Sequence, residues 1–161
     1  MAKGIFIAEN MQSTKLASLL RSGQQETNIE NGMVVTLGDL IDPERDLYET
    51  APVAANTDDI YLVDGVELQA DEQLTKGLDD FENPAGKPFR LRKGVAYDRF
   101  SISTSVLDGT PEKGKFVETP ASGNKLVVVD TPTEGASFVA EIVDVYVFGS
   151  RGIEMARLLV K

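Results

Sequence analysis

Residues 138–148, FVAEIVDVYVF, form the longest β signal in the chain and decide its fold class. β-Branched and aromatic residues, which favour strands, fill most of this stretch. A turn sequence, GSRG, follows at residues 149–152, and residues 153–160, IEMARLLV, continue as a second apolar segment. The pattern predicts a long C-terminal β-hairpin.

Shorter β patterns lie between residue 31 and this hairpin, separated by turns that use most of the 14 Gly and 7 Pro. Residues 66–80 are acidic and fit either a helical turn or a long loop. Many short strands with closely spaced turns favour an antiparallel sandwich or a distorted barrel. We therefore predict a mainly β domain over residues 31–161. Its further candidate strands are residues 33–37, 47–50, 60–63, 89–92, 95–103 and 125–130.

Residues 1–30 have a different pattern, and we interpret them as an N-terminal arm with one short helix. Residues 5–7, IFI, form an extended apolar patch. Leu16, Leu19 and Leu20 have the i, i+3, i+4 spacing of an amphipathic helix that Gly23 would end. One short helix cannot bury its stripe alone, so it packs either on its own domain or on a partner. If it binds a partner, the contact residues are Ile5, Phe6, Ile7, Leu16, Leu19 and Leu20.

Composition excludes several classes of site. The 161 residues contain no Cys and no His, which excludes disulfide scaffolds, thiolate zinc sites and Ser-His-Asp triads. The net charge of −10 disfavours binding to nucleic acid. No apolar run reaches the length of a membrane span, and the first residues lack a signal-peptide core. We expect a protein that is made in a cytoplasm and binds neither nucleic acid nor membrane.

Carboxylates are the most numerous side chains in this sequence that could take part in catalysis. Asp58-Asp59 and Asp79-Asp80 are adjacent pairs that raise the alternative of a carboxylate-dependent metal enzyme. Neighbours in an extended chain point to opposite faces, so adjacent acids rarely share one ion. No phosphate-binding glycine motif is present. We expect no enzymatic activity, no metal site and no cofactor.

A basic cluster lies close to aromatic residues in the second half of the chain. Such a combination can hold a single nucleic acid strand. Because the net charge is −10, we favour the interpretation that these basic residues form the solvated face of a hairpin whose aromatic side chains are core. A surface for an acidic protein fits the cluster at least as well as a nucleic acid strand does. The basic residues are Arg90, Arg92, Lys93 and Arg99, and the aromatic residues are Phe89, Tyr97 and Phe100.

The order of the β segments resembles that of capsid decoration proteins, also called cement or auxiliary head proteins, of tailed bacteriophages. The similarity runs over roughly residues 28–130. It is carried by residues 31–38 (NGMVVTLG), 48–52 (YETAP), 59–63 (DIYLV), 83–90 (NPAGKPFR) and 93–103 (KGVAYDRFSIS).

The resemblance implies a structural virion protein that binds the outside of the assembled capsid and stabilises the shell at capsomer junctions. Its partners would be the major capsid protein and neighbouring copies of itself, with a trimer as the expected oligomer. It would be made in the host cytoplasm and located on the capsid outer surface. The alternatives are another virion β protein, such as a tail-tube or head–tail connector subunit, and the metal enzyme considered above.

Overall fold

The computed structural model describes residues 2–67 and 77–161, which form a mainly β protein with two sheets. Short 3-10 helices occupy Gln12–Thr14, Ala17–Leu19, Leu78–Asp80 and Thr104–Val106. The strands are β1 (Phe6–Asn10), β2 (Leu20–Gln24), β3 (Val34–Leu40), β4 (Leu47–Ala51), β5 (Tyr61–Val63), β6 (Phe89–Arg92), β7 (Arg99–Ser103), β8 (Leu107–Asp108), β9 (Phe116–Glu118), β10 (Leu126–Val129), β11 (Val139–Phe148) and β12 (Ile153–Val160).

One sheet has seven strands in the order β1-β7-β12-β11-β9-β10-β8, and the other closes into a barrel in the order β2-β4-β3-β5-β6. The predicted C-terminal hairpin is confirmed: β11 and β12 pair antiparallel from Ala140 opposite Val160 to Phe148 opposite Ile153. The predicted fold class, a mainly β sandwich or distorted barrel, is confirmed as well.

The barrel and the seven-stranded sheet share one core. Val34 of β3 and Leu62 of β5 face this shared core, whereas Val35 and Val63 face a second cluster with the barrel residues Phe89 and Leu91. Successive side chains of a strand point to opposite faces, so both faces are buried in β5 and at the start of β3. This explains why Val34-Val35 and Leu62-Val63 are adjacent apolar residues rather than members of an alternating pattern.

The structure differs from the predicted N-terminal arm. Residues 2–30 are built into both sheets: β1 pairs antiparallel with β7, and β2 pairs with β4 and β6 in the barrel. Ile5 and Phe6 are buried, and the Phe6 ring stacks on Phe100 with centroids 5.3 Å apart. These two side chains are therefore part of the protein's own core.

The predicted amphipathic helix is replaced by two 3-10 turns and strand β2. Gly23, expected to end the helix, lies inside β2, where an added Cβ would come within 2.9 Å of the Leu91 side chain. A helix of about two turns is marginal by itself. The hydrogen bonds and side-chain packing that form when the barrel closes outweigh the preference of this segment for a helix.

The acidic segment 66–80 was expected to hold a helical turn or a long loop. Residues 68–76 lie outside the described residues. Within the described part, Leu78–Asp80 forms a single 3-10 turn.

Candidate binding surface

Two adjoining depressions on the outside of the barrel form one groove, which we call the barrel groove. Their volumes are about 620 and 520 Å³, and both are lined by Ser22, Asp46 and Pro88. One wall is strand β2 and the other comprises the loops that precede β4 and β6. The remaining lining residues are Ala17, Leu20, Arg21, Pro43, Glu44, Arg45, Leu47, Val66, Asn83, Pro84, Lys87, Phe89 and Arg90.

The loop before β6, residues 84–88 (PAGKP), has a conformation fixed by contacts with its own chain. Gly86 has a φ of +70°, which favours glycine, and the Lys87 N–H donates to the Pro84 carbonyl over 3.3 Å. The Ala85 N–H donates to the Asn28 side chain. These bonds hold Pro84, Lys87 and Pro88 as one rim of the groove.

The barrel groove contains cations that have no carboxylate partner among the described residues. Arg21, Arg45 and Lys87 line it, and none of them forms an ion pair with any residue of the described chain. Glu44 and Asp46 lie on the same surface, so cations exceed acids there by a small margin. In a chain with a net charge of −10 this is a local reversal of sign.

Apolar groups surround these cations. Leu20, Pro84 and Pro88 line the groove, and Val66, also in its lining, is 59% exposed. Leu16, which precedes the lining residue Ala17, is 48% exposed. Exposed apolar groups next to cations that lack a carboxylate partner among the described residues are typical of a surface that binds another protein.

The predicted partner-contact residues therefore separate into three groups. Leu16 and Leu20 lie at or beside the barrel groove, and Leu19 is half-buried close to them. Ile7 is half-buried on β1. Ile5 and Phe6 are buried and have no surface to offer a partner.

A cluster of ionic hydrogen bonds connects the groove residue Arg90 to the interior of the barrel. The Asp64 carboxylate accepts hydrogen bonds from Arg92 over 2.5 Å and from the groove residue Arg90 over 2.9 Å. Arg92 also donates to the hydroxyl oxygens of Ser13 and Thr14. These bonds fasten the turn after β1 to the barrel strand β6 and fix the Arg90 side chain at the groove.

The structure separates the basic residues that the sequence places together. Arg90 and Arg92 bind Asp64, whereas Arg99 lies on the seven-stranded sheet at 3.1 Å from Glu9. Lys93 pairs with Asp59, and burial lowers the pKa of its ammonium group. Of the three aromatic residues, Phe89 and Phe100 are core and Tyr97 is exposed.

The adjacent acids are bound within the chain. Asp58 accepts hydrogen bonds from the backbone N–H groups of Ala54 and Ala55. Asp79 and Asp80 both pair with Arg151, at the turn of the C-terminal hairpin. In the described ranges, no three Asp, Glu, His or Cys residues come close enough together to hold a metal ion.

Sequence reasoning missed most of the barrel groove. Its walls come from residues 17–22, 43–47, 66 and 83–90, which are distant in sequence and meet only when the barrel closes. The sequence pointed to parts of it only: Leu20 as a predicted partner contact, Arg90 as a member of the basic cluster, and the Pro-Ala-Gly loop as part of the segments that resemble the decoration proteins.

Comparison with protein-family models, with curated proteins and with solved structures finds no match to this chain. Across residues 2–67 and 77–161, no helix has both the length and the apolar character needed to cross a membrane.

Proposed function

We propose that this chain is a structural protein of a tailed-bacteriophage virion that binds the outer face of the assembled capsid and stabilises the shell at capsomer junctions. Support comes first from the sequence resemblance and from where its pieces lie. Four of the five segments that carry it overlap the barrel strands β3, β4, β5 and β6 in whole or in part, and the fifth ends with β7. The resemblance therefore concentrates on the barrel.

The barrel groove is the single structural observation that carries this proposal. Its cations without a described carboxylate partner, Arg21, Arg45 and Lys87, lie among apolar groups on a chain that is acidic elsewhere. Such a surface fits a protein partner that offers acidic and apolar side chains, and the partner we propose is the major capsid protein. Each contact can be modest, because many copies bind one lattice.

Co-sedimentation with purified heads of the phage that encodes this chain tests the proposal. The wild-type chain is expected to pellet with DNA-filled heads. Replacing both Arg21→Glu and Lys87→Glu puts like charges against the acidic partner and should weaken binding on the order of tenfold or more.

The matched control carries Lys113→Glu and Lys125→Glu. These lysines also lack carboxylate partners within the described chain, they are exposed, and they do not line the groove. The control has the same net charge as the groove variant and should bind like the wild type. Absence of wild-type binding contradicts the proposed function, and equal weakening by both variants contradicts the role of the groove.

A tail-tube or head–tail connector subunit is the second candidate, and one observation favours it. The seven-stranded sheet is open, with β1 and β8 as its terminal strands, so copies could join edge to edge in a ring. This candidate predicts rings or tubes in electron micrographs of the purified chain. The capsid proposal predicts density over the outer shell of the head.

A further inference from the structure

The outer half of β11 has a neighbouring strand on one side only. On its β9 side, β11 is paired through Val139–Glu141, and Ile142 exchanges hydrogen bonds with the backbone of Gly114 and Lys115. From Val143 to Phe148 the strand continues beside β12 alone, with no further described strand on its other side. The hairpin therefore has an unpaired strand edge, although β11 is not a terminal strand of the sheet.

The backbone hydrogen bonds determine which groups point to this edge. The Ser103 N–H donates to Ile5, so Ser103 faces β1 and the alternate residue Ile102 faces β12. Ala156 of β12 lies opposite Ile102, so the backbone groups of Ala156 form hydrogen bonds with β7. The backbone groups of the neighbouring Met155 point the other way and form hydrogen bonds with Tyr146 of β11. By the same alternation, Val145 and Val147 direct their N–H and C=O groups outward. These groups make no hydrogen bond with any described residue.

The regular part of this edge, residues 145–148, contains no bulge, Pro or Lys that would hinder pairing with another chain, and the one bulge lies just before it, between Ile142 and Asp144. Residues 143–148, VDVYVF, contain no Pro and no Lys and are rich in β-branched and aromatic side chains. Val147 is 68% exposed. The one charged residue, Asp144, lies 3.4 Å from Arg157 of the same chain, so its charge is compensated locally.

We propose that this edge binds the same edge of a second copy of the chain, with the two β11 strands antiparallel about a two-fold axis. Val145 and Val147 present the outward groups, and we take the register that pairs both of them: Val145 lies opposite Val147 of the second copy, and Tyr146 lies opposite its counterpart. Asp144 then faces Phe148, which keeps the two carboxylates apart. The register thus pairs apolar with apolar and aromatic with aromatic side chains at its centre, and it places no two carboxylates opposite each other.

This inference does not depend on capsid binding. It specifies a dimer, whereas the resemblance to decoration proteins implies a trimer, and a mass measurement distinguishes the two. Analytical ultracentrifugation of the full chain should show a concentration-dependent shift from the 17.5 kDa monomer to twice that mass. A trimer, a larger ring or a monomer at several hundred micromolar would overturn the proposal.

Two substitutions at Val147 test the edge itself. Val147→Pro removes an outward N–H that β12 does not use, and Val147→Lys adds a charge at the contact. Each should raise the dimer dissociation constant on the order of tenfold or more. The control Leu40→Lys makes the same change at another exposed apolar residue, 46% exposed, and should dimerise like the wild type. Unchanged dimers in both Val147 variants would contradict the proposal.

A cysteine placed at the two-fold axis tests the register directly, because the chain has no cysteine of its own. Tyr146 and its counterpart form a pair without hydrogen bonds between them, about 4.5 Å apart at Cα, which is within disulfide reach. Tyr146→Cys should cross-link rapidly on mild oxidation. Glu154→Cys, one strand away on β12, should not, and equal rates for the two variants would overturn this register.

Failure of the dimer and failure of the proposed function are distinguishable. Val147→Lys should be monomeric and should still bind heads through the barrel groove. The Arg21→Glu, Lys87→Glu variant should still dimerise and should lose binding to heads.

Discussion

At the scale of single residues, buried amides connect segments that are far apart in sequence. The Asn83 side chain donates to the Ile29 carbonyl over 3.0 Å and to the Asn31 side chain over 2.9 Å. Asn31 in turn exchanges hydrogen bonds with the backbone of Gly65. An added Cβ at Gly65 would lie 1.7 Å from the Asn83 oxygen, so only glycine fits there. The network connects Gly65, which precedes the acidic segment, with Asn83, which follows it.

Replacing Asn83→Ala should lower the free energy of unfolding by about 1–3 kcal/mol, because it leaves the Ile29 carbonyl and the Asn31 oxygen without this donor in a buried site. Urea unfolding measures the difference. The control Asn10→Ala removes an exposed side chain without a described hydrogen bond and should change stability by less than about 0.5 kcal/mol. Equal losses would show that the amide network contributes nothing specific.

Glu9 makes part of the stability depend on pH. Burial acts to raise the pKa of its carboxyl group, but hydrogen bonds from Ser101 and Arg157 and the charges of Arg157 and Arg99 outweigh it and lower the pKa below its ordinary value of 4.5. Between the lowered folded pKa and the ordinary value of 4.5, the unfolded chain therefore binds more protons at Glu9 than the folded chain does. The Glu9 contribution is therefore complete above pH 4.5 and is lost as the pH falls through the lower folded value.

Urea unfolding from pH 6.5 down to 3.5 should accordingly show a smaller loss of stability in Glu9→Gln than in the wild type, because the amide does not titrate. Glu134→Gln, at an exposed position outside any described ion pair, should follow the wild-type curve. If Glu9→Gln loses stability with the wild-type slope, the carboxylate does not couple folding to protons.

At the scale of elements, β1 and β2 decide whether residues 2–30 belong to the domain. Phe6→Ala should lower the free energy of unfolding by about 3–5 kcal/mol, because it leaves a cavity against Phe100 in the shared core. Leu16→Ala, at an exposed position, should cost less than about 0.5 kcal/mol. Similar small effects at both positions would favour a detachable arm.

The sequence predicted strands best where their side chains are buried on one or both faces. Strand β6 has the predicted bounds, and β3, β5 and β11 differ from prediction by a few residues at their ends. Strand β2, LRSGQ, was missed because its residues have little intrinsic strand preference. It is a strand because β4 and β6 lie on either side of it in the closed barrel.

Only part of the candidate surface could be predicted from the sequence. Leu16 and Leu20 were singled out for a helical spacing that the structure does not use, yet both lie at or beside the groove. Arg21 and Lys87 carried no linear signal as a pair. Their significance depends on the absence of carboxylate partners among the described residues, which only a folded arrangement can reveal.

At the scale of the whole molecule, charge acts differently on the two proposed contacts. Two copies that each carry a net charge of −10 repel one another, whereas the β11 contact consists of backbone hydrogen bonds and apolar side chains. The groove contact depends instead on attraction between its cations and an acidic partner. Salt shortens the range of both forces, from about 10 Å at 0.1 M to about 3 Å at 1 M.

Raising the salt concentration should therefore strengthen the dimer and weaken the contribution of the groove cations to head binding. In sedimentation the dimer dissociation constant should fall between about 0.05 and about 0.5 M salt, because repulsion is screened while the strand contact persists. Over the same range, the affinity ratio between the wild type and the Arg21→Glu, Lys87→Glu variant should shrink towards one. A dimer that dissociates as the salt concentration rises would be held by ion pairs, which the β11 edge does not provide. A constant affinity ratio would mean that Arg21 and Lys87 act through packing rather than through charge.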